Sequence, residues 1–301
     1  MIMSNDFSYM VSVAVTTYNM EQYVAEMLDS ILMQKTTFPI EIIISDDGSI
    51  DRTCEIVRTY QQIHDNIRLI NTGHIGKMPN FIRSLQESHG KYVALCDGDD
   101  YWIDENKLQM QFDFMESHPD FSACWTNSWA LDVEKNERKI AKKHVWDEAT
   151  TEGLLSHRDD DNIQMSPGHT SAYFYRNGLV HEYPQWMYGD VMTDFPLYML
   201  LSRYGKAKFI NIPMTVYRQR LDGVSSKGWN YVKHIRKCLF VYANVNKDFN
   251  YKYKSIINPI LGDYYWKLGK YIFKNVSKLR AVPILVKALV YKPALSYAIF
   301  N

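Results

Sequence analysis

Over its first 118 residues the chain alternates short apolar, β-branched runs with longer segments whose apolar positions recur at helical spacing. Val11-Ser-Val-Ala-Val-Thr-Thr17 predicts a strand, and Asn19 with Gln22 three residues on reads as a capping-box variant opening a helix to about Gln34. Ile40 to Ser45 predicts the next strand, ended by Asp46-Asp47-Gly48-Ser49, with Ile56, Val57, Tyr60 and Ile63 on one helical stripe behind it. Ile67 to Asn71 leads through Thr72-Gly73 to a helix carrying Phe81, Ile82 and Leu85 that stops at Gly90. Lys91 to Cys96 then runs into Asp97-Gly98-Asp99-Asp100, followed by a helix with Leu108, Phe112 and Met115 on one face. Four strand–helix units in sequence predict a parallel, right-handed α/β sheet, in which ligands bind at the carboxyl ends of strands. Both acidic loops fall there.

Beyond residue 118 the pattern changes. Phe121 to Leu131 reads as a strand, 132–162 as a polar stretch containing Asp159-Asp160-Asp161, Ser166 to Tyr175 as extended chain, and Asp194 to Tyr204 as a helix. From about residue 229 the chain turns aromatic and basic, with helices expected at 229–245, 254–273 and 281–291. The organisation is therefore read as 1–228 (halves 1–118 and 119–228) joined to a helical region 229–301.

The loops carry the candidate chemistry. Three carboxylates (Asp97, Asp99, Asp100) crowding the end of an apolar strand repel one another unless a cation is present. A hard divalent ion held by one or two carboxylates, its shell completed by diphosphate oxygens, would relieve that repulsion and bind a nucleotide-linked leaving group together. The competing reading is a solvated turn before a helix capped by Asp104. Asp46 or Asp47 can accept from a nucleobase N–H or ribose hydroxyl, while Gly48 permits a sharp turn and Ser49 caps the next helix. Read as structure alone, the same residues form a helix N-cap turn. Other phosphate motifs fail: Gly73-His-Ile-Gly76-Lys77 is not a P-loop, and no G-x-G-x-x-G follows the first strand.

In combination these segments resemble the inverting family 2 glycosyltransferases, over roughly residues 10–225. The resemblance implies a GT-A fold, Rossmann-like with a mostly parallel central sheet. It places Thr16, Thr17 and Tyr18 along the nucleoside pocket, Asp46 or Asp47 on the base, Lys77 near the diphosphate, and Asp97 on the ribose or metal shell. Asp99 would then bind Mn2+ or Mg2+. In Tyr188-Gly-Asp-Val-Met-Thr-Asp194, Asp194 resembles the family's catalytic base, with Asp190 as runner-up, and His169 and Thr170 would contact acceptor hydroxyls. The reaction that the resemblance implies moves a sugar from a nucleotide sugar, with UDP as the expected nucleotide, to a hydroxyl of a glycan or lipid-linked saccharide, with inversion. One departure stands out: where many relatives carry Tyr-Arg-x-His, this chain reads Tyr217-Arg-Gln-Arg220, and a guanidinium could replace that His only as a partner of phosphate oxygens. A sugar nucleotidyltransferase and a non-catalytic nucleotide- or glycan-binding homologue are the alternatives. The first lacks its Gly/Arg/Lys-rich loop at Thr16-Thr-Tyr-Asn19.

Charge sharpens the picture. Lys+Arg and Asp+Glu both number 34, a neutrality that disfavours nucleic acid as partner. Yet 229–301 holds 13 of the bases and 2 of the acids, so the basic tail cancels an acidic catalytic region. Cations interleaved with aromatics and aliphatics fit an anionic membrane surface; packing on the core or a homodimer contact is the competing reading. Four scattered cysteines fit free thiols in a reducing compartment, and neither a signal peptide nor a spanning segment is expected, which makes the predicted location cytoplasmic, peripheral to the membrane's inner face.

Overall fold

The computed structural model describes residues 8–141, 147–156, 168–192, 194–221 and 230–296, so the Asp159–Asp161 triplet lies outside the described residues, as do residues 142–146 of the polar stretch before it. The elements follow in the order β1 (Val11–Thr17), α1 (Val24–Leu32), β2 (Ile40–Asp46), α2 (Thr53–Gln61), β3 (Ile67–Asn71), α3 (Lys77–Gln86) and β4 (Tyr92–Asp97). Next come β5 (Tyr101–Trp102), α4 (Lys107–Ser117), β6 (Phe121–Asp132), β7 (Glu137–Ile140), β8 (Glu148–Ala149), α5 (Thr151–Ser156), β9 (Tyr173–Arg176), α6 (Asp194–Leu201) and β10 (Lys206–Gln219). Three helices close the chain: α7 (Tyr231–Asp248), α8 (Lys254–Asn275) and α9 (Lys278–Tyr291).

The strands form one sheet in the order β3-β2-β1-β4-β9-β6-β10-β5, with β7 on β6 and β8 on β10. The first four are parallel, as the alternation predicts, with Thr16 level with both Ser45 and Asp97. Antiparallel β9 then joins β4 to β6, and β10 runs parallel to β6. Period-2 alternation splits the core in two. Val11, Val13 and Val15 face α1, α2 and α4, whereas Ala14, Val93 and Leu95 face α3 and the layer of α5 to α8.

Local expectations fail where polar side chains bind elsewhere. Asn19 adopts φ +52° and caps nothing: its Oδ1 accepts from the Ile50 N–H at 2.9 Å and its own N–H donates to Ser49 Oγ at 2.8 Å. Helix α1 accordingly starts later, at Val24, without a side-chain cap. Ser49 is thus spent on the loops, and Asp51 takes the Thr53 N–H at the start of α2. Ile63 lies beyond α2 and is 79% exposed. Of the stretch expected to be extended, Thr170–Ala172 is a 3-10 turn and only Tyr173–Arg176 is strand.

The basic tail is not detached. Ile235, Cys238, Tyr242 and Val245 of α7, and Ile257, Leu261 and Leu268 of α8, share one apolar core with Leu154, Phe195 and Tyr198. The Tyr242 hydroxyl donates to Leu155 O at 3.1 Å, and the Trp186 indole N–H donates to Asp248 at 2.8 Å. No helix of the described residues is long and apolar enough to cross a membrane.

Candidate active site

β1, β2 and β4 end at one level of the sheet, so three loops converge. The β2 loop is already satisfied. Asp46, fully buried, accepts from the Thr17 hydroxyl (2.8 Å), the Ser49 hydroxyl (2.5 Å) and N–H (2.8 Å), and Asn71 Nδ2 (3.0 Å). Asp47, also buried, accepts through Oδ1 from the backbone N–H groups of Ile75 (2.8 Å) and Gly76 (3.0 Å). Its Oδ2 lies 3.1 Å from His74 Nδ1. The Tyr18 ring, half-exposed, sits 5.5 Å from the His74 ring, making an aromatic rim over Asp47.

The β4 loop is the opposite case. Gly98 donates its N–H to Thr16 O at 3.0 Å, and a Cβ there would fall 2.7 Å from Thr17 Cγ2 and 2.9 Å from Thr16 O, so no side chain fits. That close approach seats three carboxylates together. Burial, then the charges of Asp99 and Asp194, push the Asp97 carboxyl up to about 6, against the opposing pull of Lys77 and the Thr170 hydroxyl. Burial, with Asp99 and Asp97, holds Asp100 well above the carboxylate range. Asp100 accepts from Ser171 Oγ at 2.5 Å and from the Arg218 N–H at 3.0 Å.

The cations that balance this loop come from the end of β10. Arg220 Nη2 lies 3.1 Å from Asp99 Oδ2, and its guanidinium stands 4.7 Å from the Tyr23 ring centre. Arg218 donates to Asp99 O at 2.6 Å, pairs with Glu26 and stacks 4.3 Å over Tyr101. Below, the Trp102 indole N–H donates to Ser171 O at 2.9 Å, and the buried Lys107 ammonium, pushed down to about 7 by desolvation, sits 4.1 Å over that indole and donates to Gln111 at 2.8 Å.

Asp97, Asp99, Lys77, Thr16, Thr170 and Asp194 are therefore brought within electrostatic or hydrogen-bond reach of one another. Thr170, expected on the acceptor, turns its hydroxyl to Asp97, while its neighbour His169 stacks on Tyr217 with centroids 4.2 Å apart. Asp190 stands outside this group, paired with Lys233 (3.0 Å) and Lys237 (2.5 Å) of α7, which hold its carboxyl below the usual range. Sequence reasoning did not single out Arg218, Glu26, Ser171 or Lys107. The Tyr217-Arg-Gln-Arg220 run was the available signal for the first.

Residues 12–177, more than half the chain, match the family described as glycosyl transferase family 2. The chain belongs to that family. It is similar to an uncharacterised protein of Mycobacterium tuberculosis, at 38% identity over 116 residues covering 38% of this chain and 34% of the relative. It is similar to the poly(ribitol-phosphate) β-N-acetylglucosaminyltransferase TarS of Staphylococcus aureus at 36% identity, over 36% of this chain and 19% of that protein. The chain thus spans about a third or less of the length of these curated relatives. Among solved structures, TarS 1–349 superposes with a TM-score of 0.61 at 20% identity, covering 93% of this chain and 79% of that one. The mannosyltransferase PcManGT of Pyrobaculum calidifontis, solved with GDP-Man and Mn2+, superposes with a TM-score of 0.53 at 18% identity, covering 96% and 76%. These likenesses show the GT-A fold, with its mostly parallel central strands and C-terminal helices.

Proposed function

We propose that the chain is a divalent-cation-dependent, inverting glycosyltransferase that moves a sugar from a UDP-linked donor to a hydroxyl of a glycan or lipid-linked saccharide. One observation carries the reading: the buried Asp97 at the end of β4 has its carboxyl pushed up to about 6, first by burial and then by the charges of Asp99 and Asp194, so three acids share one electrostatic site. The donor set suits a hard ion, since the repelling groups are all carboxylate oxygens. Among the described residues no three His, Cys, Asp or Glu side chains form a group that could hold a metal ion, so in this reading the donor's own oxygens would complete the ion's shell. Asp99 with Asp97 would hold the cation, which when bound would neutralise the charge gathering on the departing diphosphate.

The chain's own residues supply the rest. Lys77, first residue of α3 and within charge reach of Asp97, would meet the diphosphate. Thr16 and Thr17 would line the nucleoside pocket, with Tyr18 and His74 closing on the base beside Asp47. Asp46, its oxygens already taken by Thr17, Ser49 and Asn71, shapes the pocket instead of reading the base. Asp194 at the start of α6 would take the proton of the attacking hydroxyl as that oxygen approaches the anomeric carbon. His169, stacked on Tyr217, would border the acceptor side. A UDP donor is supported by TarS, solved in complex with UDP-GlcNAc. The buried free thiols Cys54, Cys96, Cys124 and Cys238 suit a reducing, cytoplasmic setting. Residues 1–228 form the catalytic unit in this reading, and 229–301 its helical buttress.

The test is nucleotide release from a panel of UDP-sugars and GDP-mannose with Mn2+ or Mg2+ and no acceptor. Release of UDP from one UDP-sugar, abolished by EDTA, is expected. Undiminished release in EDTA would overturn the cation's role, release from GDP-mannose alone the UDP assignment, and none from any donor the reaction itself.

A further inference from the structure

We infer that the outward face of α9 is a docking surface for an anionic lipid membrane. The helix has two opposite faces. At about 100° per residue, Ala281 and Ala288 fall on one side, and both are fully buried. There the chain packs closely on α8: a Cβ on Gly262 would lie 2.5 Å from Lys292 Cβ, and one on Gly269 would lie 2.5 Å from Leu285 Cδ2. The other side carries Leu279, Val282, Val286 and Val290, spaced three, four and four residues apart and 83, 53, 53 and 73% exposed. Four aliphatic side chains in one unbroken line, turned away from the core, have no partner among the described residues that would keep them from water.

The flanks indicate what covers them. Lys278 lies roughly 100° to one side of the aliphatic line, and Arg280 and Lys287 lie roughly 80–100° to the other. The Lys278 ammonium stands 5.5 Å over the Phe273 ring, itself 47% exposed, which adds an aromatic group at the edge of the patch. No Asp or Glu follows Asp263, whereas seven Lys and Arg do. A second copy of this chain, presenting the same cations, would bring like charges together across a two-fold contact. A sheet of anionic headgroups over hydrocarbon accepts both the cations and the aliphatic line between them. Because α7 and α8 are built into the core, α9 would be held rigidly at that surface instead of trailing from it.

The surface is independent of the catalytic reading, and the experiment keeps the full chain intact. Cosedimentation is measured with vesicles of phosphatidylcholine alone and of phosphatidylcholine with phosphatidylglycerol. Binding to the anionic vesicles only is expected, falling at least about tenfold in the Val282→Asp/Val286→Asp variant. Each of Lys278→Gln, Arg280→Gln and Lys287→Gln should weaken it about fivefold, and raising salt to about 1 M, where the screening length is about 3 Å, should weaken it further. All replaced side chains are exposed, so unchanged circular dichroism and melting separate lost docking from lost fold. Binding that survives the double Asp variant, absence of binding, or a dimer in light scattering that the same variant dissociates would each overturn the proposal.

Discussion

Two acidic loops stand side by side at the carboxyl ends of β2 and β4, and the same residue type is in opposite states in the two. Asp46 and Asp47 meet donors: two hydroxyls, three backbone N–H groups, an amide and an imidazole. Asp97 and Asp100 also meet donors, among them the Thr170 and Ser171 hydroxyls, but burial and the neighbouring carboxylates, Asp99 above all, outweigh these and raise both carboxyls above the usual range. A carboxylate surrounded by donors is a finished piece of architecture. One surrounded by carboxylates is stabilised by whatever positive charge arrives, here Arg220 in the resting chain and a divalent ion in the proposed cycle.

The contrast can be broken by substitution. The largest effect belongs to Asp194→Asn. If the β4 carboxylates work with Asp194, transfer to an acceptor should fall about 10²–10⁴-fold, or roughly 3–5 kcal/mol in barrier, while UDP affinity by calorimetry stays near wild type. Retained transfer would leave the β4 loop without a base. Next comes Asp46→Ala, which strands buried donors on Thr17, Ser49 and Asn71 and should cost about 3 kcal/mol in urea unfolding. A loss below about 1 kcal/mol would deny the β2 loop its structural character.

The smallest effect has the opposite sign. Asp97→Asn removes one of the crowded charges and should raise metal-free stability at pH 8 by about 1–2 kcal/mol. The pH dependence follows from the direction of the shift. The folded carboxyl titrates at about 6 against 3.8 as the unperturbed value, so between them the folded chain binds the extra proton. Its contribution is fully present below pH 3.8 and is lost as pH rises through about 6, so the stabilising effect of Asn should appear at pH 8 and vanish at pH 4. Equal effects at both pH values would mean that this carboxyl is not raised in the folded chain.

The half of the molecule around these loops was legible because each strand there is a short apolar run beside a helix with one apolar stripe, as in Val11–Thr17 and the Phe81, Ile82, Leu85 face of α3. The crowding at Asp97, Asp99 and Asp100 followed from counting carboxylates at a strand end. What stayed hidden was long-range pairing. β10 reads Lys-Ala-Lys-Phe-Ile-Asn-Ile-Pro before its apolar end, and register shifts around Pro213 break the alternation that would mark it as a strand. Its role in bringing Arg218 and Arg220 over the β4 loop was therefore invisible beforehand. Asn19 misled for a related reason: its amide pairs with Ile50, 31 residues away, instead of with its own helix. At Asp46 and Asp47 the sequence offered two carboxylates, and only the donors from Thr17, Asn71, Ile75 and Gly76 tell which oxygens remain open.

Gly98 has a practical consequence for searching and for engineering. Residue 98, between Asp97 and Asp99, lies against the backbone of the first strand and admits hydrogen alone. A pattern tuned to find chains with this loop packing should demand D-G-D, and a library built to probe the proposed cation site can vary Asp97 and Asp99 while leaving residue 98 untouched.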